Sequence, residues 1–218
     1  MKCMKFNKCF HNFFSKITDK SMKISPNYTS NDWKRLSNLP VNASTTDWTK
    51  AIAILKDRIE GRFLSLIEAI ENETFSGFAI IALDCLLIET LNQFWFGIED
   101  TNVNYNGKNG ESFKDFFNRS PYFKYHFTDD ISKAFYNQIR CGLLHQAETK
   151  GNTLINFKKF KMITLIDPSD AKKGIELNRK LFHTALKDEF RNYLELLNDP
   201  NNEVIRKNFI KKMNLICR

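Results

Sequence analysis

Apolar residues recur at helical intervals along most of the chain. Trp48, Ile52, Leu55, Ile59, Phe63, Leu66, Ile67 and Ile70 follow one another at mostly three- and four-residue steps behind Thr46 and Asp47, which supply an N-cap candidate. This spacing predicts a first long helix, interrupted at Asn72-Glu73-Thr74. From Phe75 to Phe96 the pattern is apolar almost all round, as expected of a helix at the centre of a core. A Gly/Asn-rich loop is predicted over residues 102–110, then a short Phe-rich helix around Ser112 to Asn118. Thr128 can cap the next helix, with Asp129 and Asp130 in its first turn and Ile131, Phe135, Ile139 and Leu143 as its apolar stripe, ending near His145. Leu154 to Phe157 and Lys161 to Ile166 read as the two strands of a small β-hairpin turning at Lys158-Lys159. A third long helix is predicted from Glu176 to Leu197, and a last, basic one from Asn202 to Ile216.

The fold class is therefore mainly α, an antiparallel helical bundle with a β-hairpin after the helix that ends at His145. Residues 1–46 read differently. The first 22 mix Lys with Phe, and residues 21–46 are polar and carry Pro26 and Pro40, so a basic and polar N-terminal arm is expected before a single helical domain over 47–218.

Composition narrows the chemistry. A hydrophobic fraction of 42% with 20 Phe indicates a packed interior, and a net charge of +8 attracts polyanions without choosing among RNA, DNA and lipid. Cys3, Cys9, Cys85, Cys141 and Cys217 are odd in number and never spaced Cys-x-x-Cys, so neither a disulfide framework nor a zinc site is predicted. With four His, none paired at ligand spacing, and no carboxylate cluster, no metal or other cofactor is expected. The stretch from Phe75 to Ile98 contains Asp84 and Glu89 and reads as a buried helix rather than a membrane span; a cytoplasmic protein without a membrane partner is the expectation.

Arg140 and His145 carry the most chemistry. A guanidinium holds phosphate through a planar fork of donors, and an imidazole exchanges protons near neutrality, a combination suited to phosphodiester cleavage. On one α-helix the two side chains point about 140° apart, so they share a groove only if the helix unwinds near Gly142 or a second copy supplies the opposite wall, with Gly142 permitting close approach. Lys150, Gln146 and Thr149 in the following loop are candidate phosphate or sugar contacts. Glu89, costly to bury unpaired, is expected to orient Arg140 or His145. Asp84 either does the same or meets an arginine such as Arg58 or Arg62.

The string Arg140-x-x-x-x-His145 at a helix end, with the blocks GFAIIALDCLLIETL (Gly77 to Leu91) and FYNQIRCGLLHQAETKG (Phe135 to Gly151), resembles the HEPN superfamily, in particular an uncharacterised bacterial branch of it. The resemblance covers roughly residues 48–166. It implies a metal-independent endoribonuclease, active as a homodimer with Arg140 and His145 of both protomers lining the cleft. RNA is its substrate, and an antitoxin or defence-system protein is its partner. In that chemistry the ribose 2′-OH attacks the adjacent phosphorus to leave a 2′,3′-cyclic phosphate. Many active members carry Asn, Asp or His directly after the Arg, where this chain has Cys141. Other readings remain open on the residues alone: an Arg140 salt bridge with His145 capping the helix, a Cys141–His145 nucleophile, a non-catalytic binding module using Arg206, Lys207, Lys211 and Lys212 of the last helix, or membrane-surface binding by the N-terminal Lys/Phe segment.

Overall fold

The computed structural model describes residues 21–36 and 38–218. The basic, aromatic N-terminal segment, apart from Ser21 and Met22, lies outside the described residues. The fold is mainly helical. In chain order the helices are α1 (Ser30–Lys34), α2 (Thr46–Ile59), α3 (Ser65–Ile70), α4 (Gly77–Phe96), α5 (Thr101–Asn104), α6 (Asn109–Arg119), α7 (Asp129–Ala134), α8 (Cys141–Gln146), α9 (Arg179–Asn198) and α10 (Glu203–Ile216). A π turn at Glu60–Leu64 joins α2 to α3, and another at Phe135–Arg140 joins α7 to α8. The first predicted long helix and the helix that ends at the motif are thus each a rod with one widened turn, whereas α4, α9 and α10 are uninterrupted.

Helix α4 is the centre. It packs against α9, α10, α6, α3 and α8 and against the first strand, and Ile81, Leu87, Ile88 and Phe94 on it are fully buried. Among the described residues it alone has the length and composition to cross a membrane, and half of it is buried inside the fold. Beside it lies an aromatic cluster that the Phe-rich composition foreshadows: Phe117 stacks on Phe127 with ring centroids 3.8 Å apart, and Phe135 stacks on Phe182 at 5.1 Å.

The long helices do not all pair antiparallel. Arg179 meets Ser76, His183 meets Asp84, and Tyr193 donates to the Phe94 carbonyl, contacts that advance together along both helices, so α4 and α9 run in the same direction. Lys187 meets Glu68 and Lys180 meets Glu71, so α3 and α9 run oppositely. The antiparallel expectation holds for the second pair and not for the first.

The predicted hairpin does not form. Strands β1 (Leu154–Asn156) and β2 (Ile163–Leu165) both pair with β3 (Ile175–Asn178), in the order β1-β3-β2. Leu154 lies opposite Glu176 in a parallel pairing, and Ile163 opposite Leu177 in an antiparallel one. The third long helix consequently begins later than predicted, at Arg179, where the Asn178 side chain accepts from the Lys180 and Leu181 N–H groups. The Gly/Asn loop over 102–110 likewise contains α5, capped by Asp100.

Residues 21–36 and 38–45 are irregular apart from α1, yet they share the core of the helical domain. Ile24, Trp33, Leu36 and Leu39 are buried, and Trp33 Nε1 donates to Asn214 Oδ1 at 2.7 Å. Arg206 of α10 has no exposed surface. It donates to the Val41 and Ala43 carbonyls at 2.8 and 2.9 Å and to Leu197 O at 2.8 Å, with its guanidinium 4.0 Å from the Trp48 ring centroid. A nucleic-acid contact through Arg206 is thereby overturned. Lys212 is equally committed, buried and bonded to Gln93 Oε1 and Glu99 O. Truncating Arg206 strands buried carbonyls and leaves a cavity, so Arg206→Ala should lower unfolding free energy by about 3 kcal/mol, measured by urea denaturation through Trp fluorescence.

Candidate functional site

The rod that carries the motif starts where the Thr128 side chain accepts from the Ile131 N–H, as its sequence predicts, with Asp129 and Asp130 in the first turn. It ends at Ala147, whose φ of +54 places a non-glycine residue in the left-handed region, its N–H returning to Leu143 O. The chain then folds back over its own helix. Lys150 N–H donates to Gln138 O at 2.9 Å, and a Cβ on Gly142 would lie 2.4 Å from Glu148 O. The smallness of Gly142 therefore serves this loop. The expectation that Gly142 admits a second copy of the helix is contradicted, because the residue is buried under residues 148–150.

Gln138 ties the rod to the sheet. Its amide donates to Ala171 O and Lys172 O at 3.2 and 3.1 Å and accepts from the Thr153 hydroxyl, which in turn accepts from Ile175 N–H at 3.1 Å. Every member of this chain of bonds is buried or half-buried, so the loop after the motif is anchored rather than pendant.

Arg140 and Glu89 meet as the sequence predicts. Arg140 Nε and Nη2 each lie 2.8 Å from Glu89 Oε1, and both side chains are largely buried, at 16% and 17% exposure. Burial alone would lower the Arg140 pKa, but the Glu89 carboxylate outweighs it and the net shift is upward. The Tyr136 ring lies beneath the guanidinium at 5.5 Å, and burial followed by the neighbouring Cys141 raises the Tyr136 hydroxyl pKa. Nη1 has no protein partner among the described residues.

His145 stands apart. It is exposed, has no hydrogen bond among the described residues, and does not cap the helix, a task done by the backbone of Ala147. The five-residue spacing turns Arg140 toward α4 and His145 toward solvent, and neither lines any of the five clefts found among the described residues. The exposed Leu144 on α8 and Leu86 on α4 lie on helices that pack against one another, near the motif.

Of the supporting residues, Gln146 and Lys150 have exposed side chains, whereas the Thr149 hydroxyl is taken up by Thr153 O at 2.7 Å. Asp84 does not join the site and does not meet Arg58 or Arg62. Its Oδ1 lies 2.8 Å from His183 Nδ1, both residues are buried, and burial raises the Asp84 pKa against the pull of His183. Asp84 Oδ2 and His183 Nε2 have no hydrogen-bond partner among the described residues. The sequence signalled this pair only through the misfit of an Asp within an apolar helix. Cys141 lies between the buried interior and the surface. Among the described residues no imidazole is hydrogen-bonded to it, which removes support for a Cys141–His145 nucleophile. Among the described residues no group of three His, Cys, Asp or Glu side chains is placed to hold a metal ion.

No family model matches the chain, and no curated protein or solved structure shows significant similarity to it.

Glu89→Gln should cost about 2 kcal/mol of stability by leaving a half-buried guanidinium without its counter-charge, and Glu89→Gln with Arg140→Met should recover part of that loss in a double-mutant cycle. Gly142→Ala should be destabilising by about 2 kcal/mol, read as a lowered melting temperature, because the added methyl meets backbone that Lys150 holds in place.

Proposed function

We propose that the chain is an endoribonuclease of the HEPN type, in which Arg140 and His145 act on RNA across a twofold between two copies. The observation that carries this reading is the state of the two side chains: among the described residues His145 is exposed without a hydrogen-bond partner, and Arg140 is held by Glu89 while its Nη1 has none. Neither group is fully consumed by folding. Exposed Leu86 and Leu144 provide apolar surface beside the motif for the second copy.

In the proposed reaction His145 takes the proton of the ribose 2′-OH as the oxygen bonds to phosphorus. The P–O5′ bond breaks, and the leaving 5′ oxygen receives a proton from the partner copy's imidazole or from water. Arg140 stabilises the charge gathering on the non-bridging oxygens. Gln146 and Lys150 contact sugar or phosphate beside it. No metal or cofactor takes part, and the setting is a cytoplasmic toxin or antiphage effector with its own regulatory partner.

One observation favours a second reading. Glu89 neutralises Arg140, and Arg140 and His145 line none of the five clefts described above, which suits a module that binds RNA, a nucleotide or another protein without cutting.

Purified protein incubated with end-labelled RNA in EDTA should yield 2′,3′-cyclic phosphate and 5′-OH ends. His145→Ala should slow cleavage by about 100-fold or more while leaving the unfolding midpoint unchanged, and Arg140→Ala should do likewise at some cost in stability. Salt-sensitive RNA binding by the wild type with no strand scission would select the binding module.

A further inference from the structure

The connection between β1 and β2 carries Phe157, Lys158, Lys159, Phe160 and Lys161, five consecutive aromatic or basic residues, all exposed. Phe160 is fully exposed, at 101%, and Phe157 is half-exposed. Left unconstrained, such a loop would turn its rings inward, since exposed apolar surface is unfavourable in water. Three anchors hold it out. Asn156 Oδ1 accepts from the Lys158 and Lys159 N–H groups at 3.1 and 3.2 Å, Asn178 donates from its side chain to Lys159 O and from its backbone to Met162 O, and the Met162 side chain is buried in the core. The loop is pre-organised with its aromatic rings in solvent.

A cleft lies on either side. One, of about 560 Å³, is lined by Phe157, Ile155, Phe78 and Arg179; the other, of about 670 Å³, by Phe160, Tyr125, Ile163 and Leu181. Cations accompany the rings: Lys158 is 5.6 Å and Arg179 5.4 Å from the Phe157 centroid, and Lys124 is 4.9 Å from that of Tyr125. Of the acids at the two clefts, Glu71 pairs with Lys180 and Asp188 with Arg191, while Glu73 is exposed and makes no ion pair among the described residues.

We infer that this connection is a stacking platform for single-stranded RNA. Successive bases lie on Phe157, Phe160 and Tyr125, and Lys158, Lys161 and Lys124 meet the phosphates. Aromatic faces accept any base, and cations track the backbone between them, which is how single strands are held without sequence readout. A lipid surface fits less well: a bilayer meets a protruding tip and cannot enter clefts on both sides of it, whereas unstacked bases can. The β1 side of the platform abuts α4 at Gly77, and Glu89 is twelve residues further along that helix, about 18 Å. A strand seated here therefore reaches Arg140 within a few nucleotides. The inference rests on the reading of the chain as a protein that acts on RNA.

The test uses the full chain carrying His145→Ala, so that binding is read without cleavage, and a fluorescein-labelled oligouridylate as probe, with an RNA duplex and phosphatidylserine vesicles as comparison arms. Replacing Phe157 and Phe160 with Ala should weaken oligouridylate binding about tenfold per ring. Lys158→Gln with Lys161→Gln should reduce the salt dependence by about two charges. Duplex binding should change little, and melting temperatures should hold because these side chains lie outside the core. Unchanged oligouridylate affinity in the Phe variant would overturn the platform, as would vesicle flotation that depends on the two rings while RNA binding does not. If the wild type fails to cleave but ring-dependent binding persists, the platform stands and the catalytic proposal falls. If RNA is cleaved and KM is indifferent to Phe157 and Phe160, the platform falls and the catalytic proposal stands.

Discussion

The fold depends on how an almost wholly apolar helix is told which neighbour lies on which side. Hydrophobic burial is non-directional and would let α4 rotate among its partners. Four polar residues prevent this. Asp84 meets His183 of α9, Glu89 meets Arg140 of the motif rod, Asn92 meets Arg119 of α6, and Gln93 meets Lys212 of α10. At 100° per residue, Glu89, Asn92 and Gln93 lie about 140°, 80° and 180° around the axis from Asp84, so the four bonds radiate over half the circumference. Each is an interaction that a wrong rotation would leave unmade in the interior, where an unpaired polar group is costly. The position of Arg140 follows from the same device that orients the whole bundle.

The helical part of this arrangement was legible because its signals are local. Periodic apolar residues, the Thr128 cap and the stop at Asn72-Glu73-Thr74 all act within a turn or two of themselves. The Glu89–Arg140 pair was legible for another local reason, that a carboxylate inside an apolar helix must find a cation. The same logic flagged Asp84 but not its partner, since His183 lies 99 residues away and nothing in the pattern around it marks it out. The sheet failed for want of local information. The alternation of Ile175 and Leu177 merges into the amphipathic run of α9, so β3 was hidden, and two neighbouring strands were joined to each other instead of to it.

Charge was misleading in a related way. Arg206 and Lys212 lie on a helix whose composition suggests a solvated basic face, yet backbone carbonyls of the preceding irregular segment and of the α4 end satisfy them indoors. Three exposed lysines, Lys158, Lys159 and Lys161, gather instead where the sequence looked like a mere turn, between β1 and β2. Backbone carbonyls carry no signature in a sequence, so a cation that binds them cannot be distinguished by type from one that faces water.

The π turn at Phe135–Arg140 gives the motif an unusual tolerance of chain length. A widened turn is an α-helix with one residue too many, and loss of any residue in it would restore an ordinary helix with its hydrogen bonds intact. The widened turn takes up the extra residue locally, so its loss would leave the segments before and after it facing much as they do now. A deletion between Phe135 and Ile139 would therefore spare the outlook of Arg140 and His145 and fall on the turn itself, where Gln138 ties the rod to the sheet.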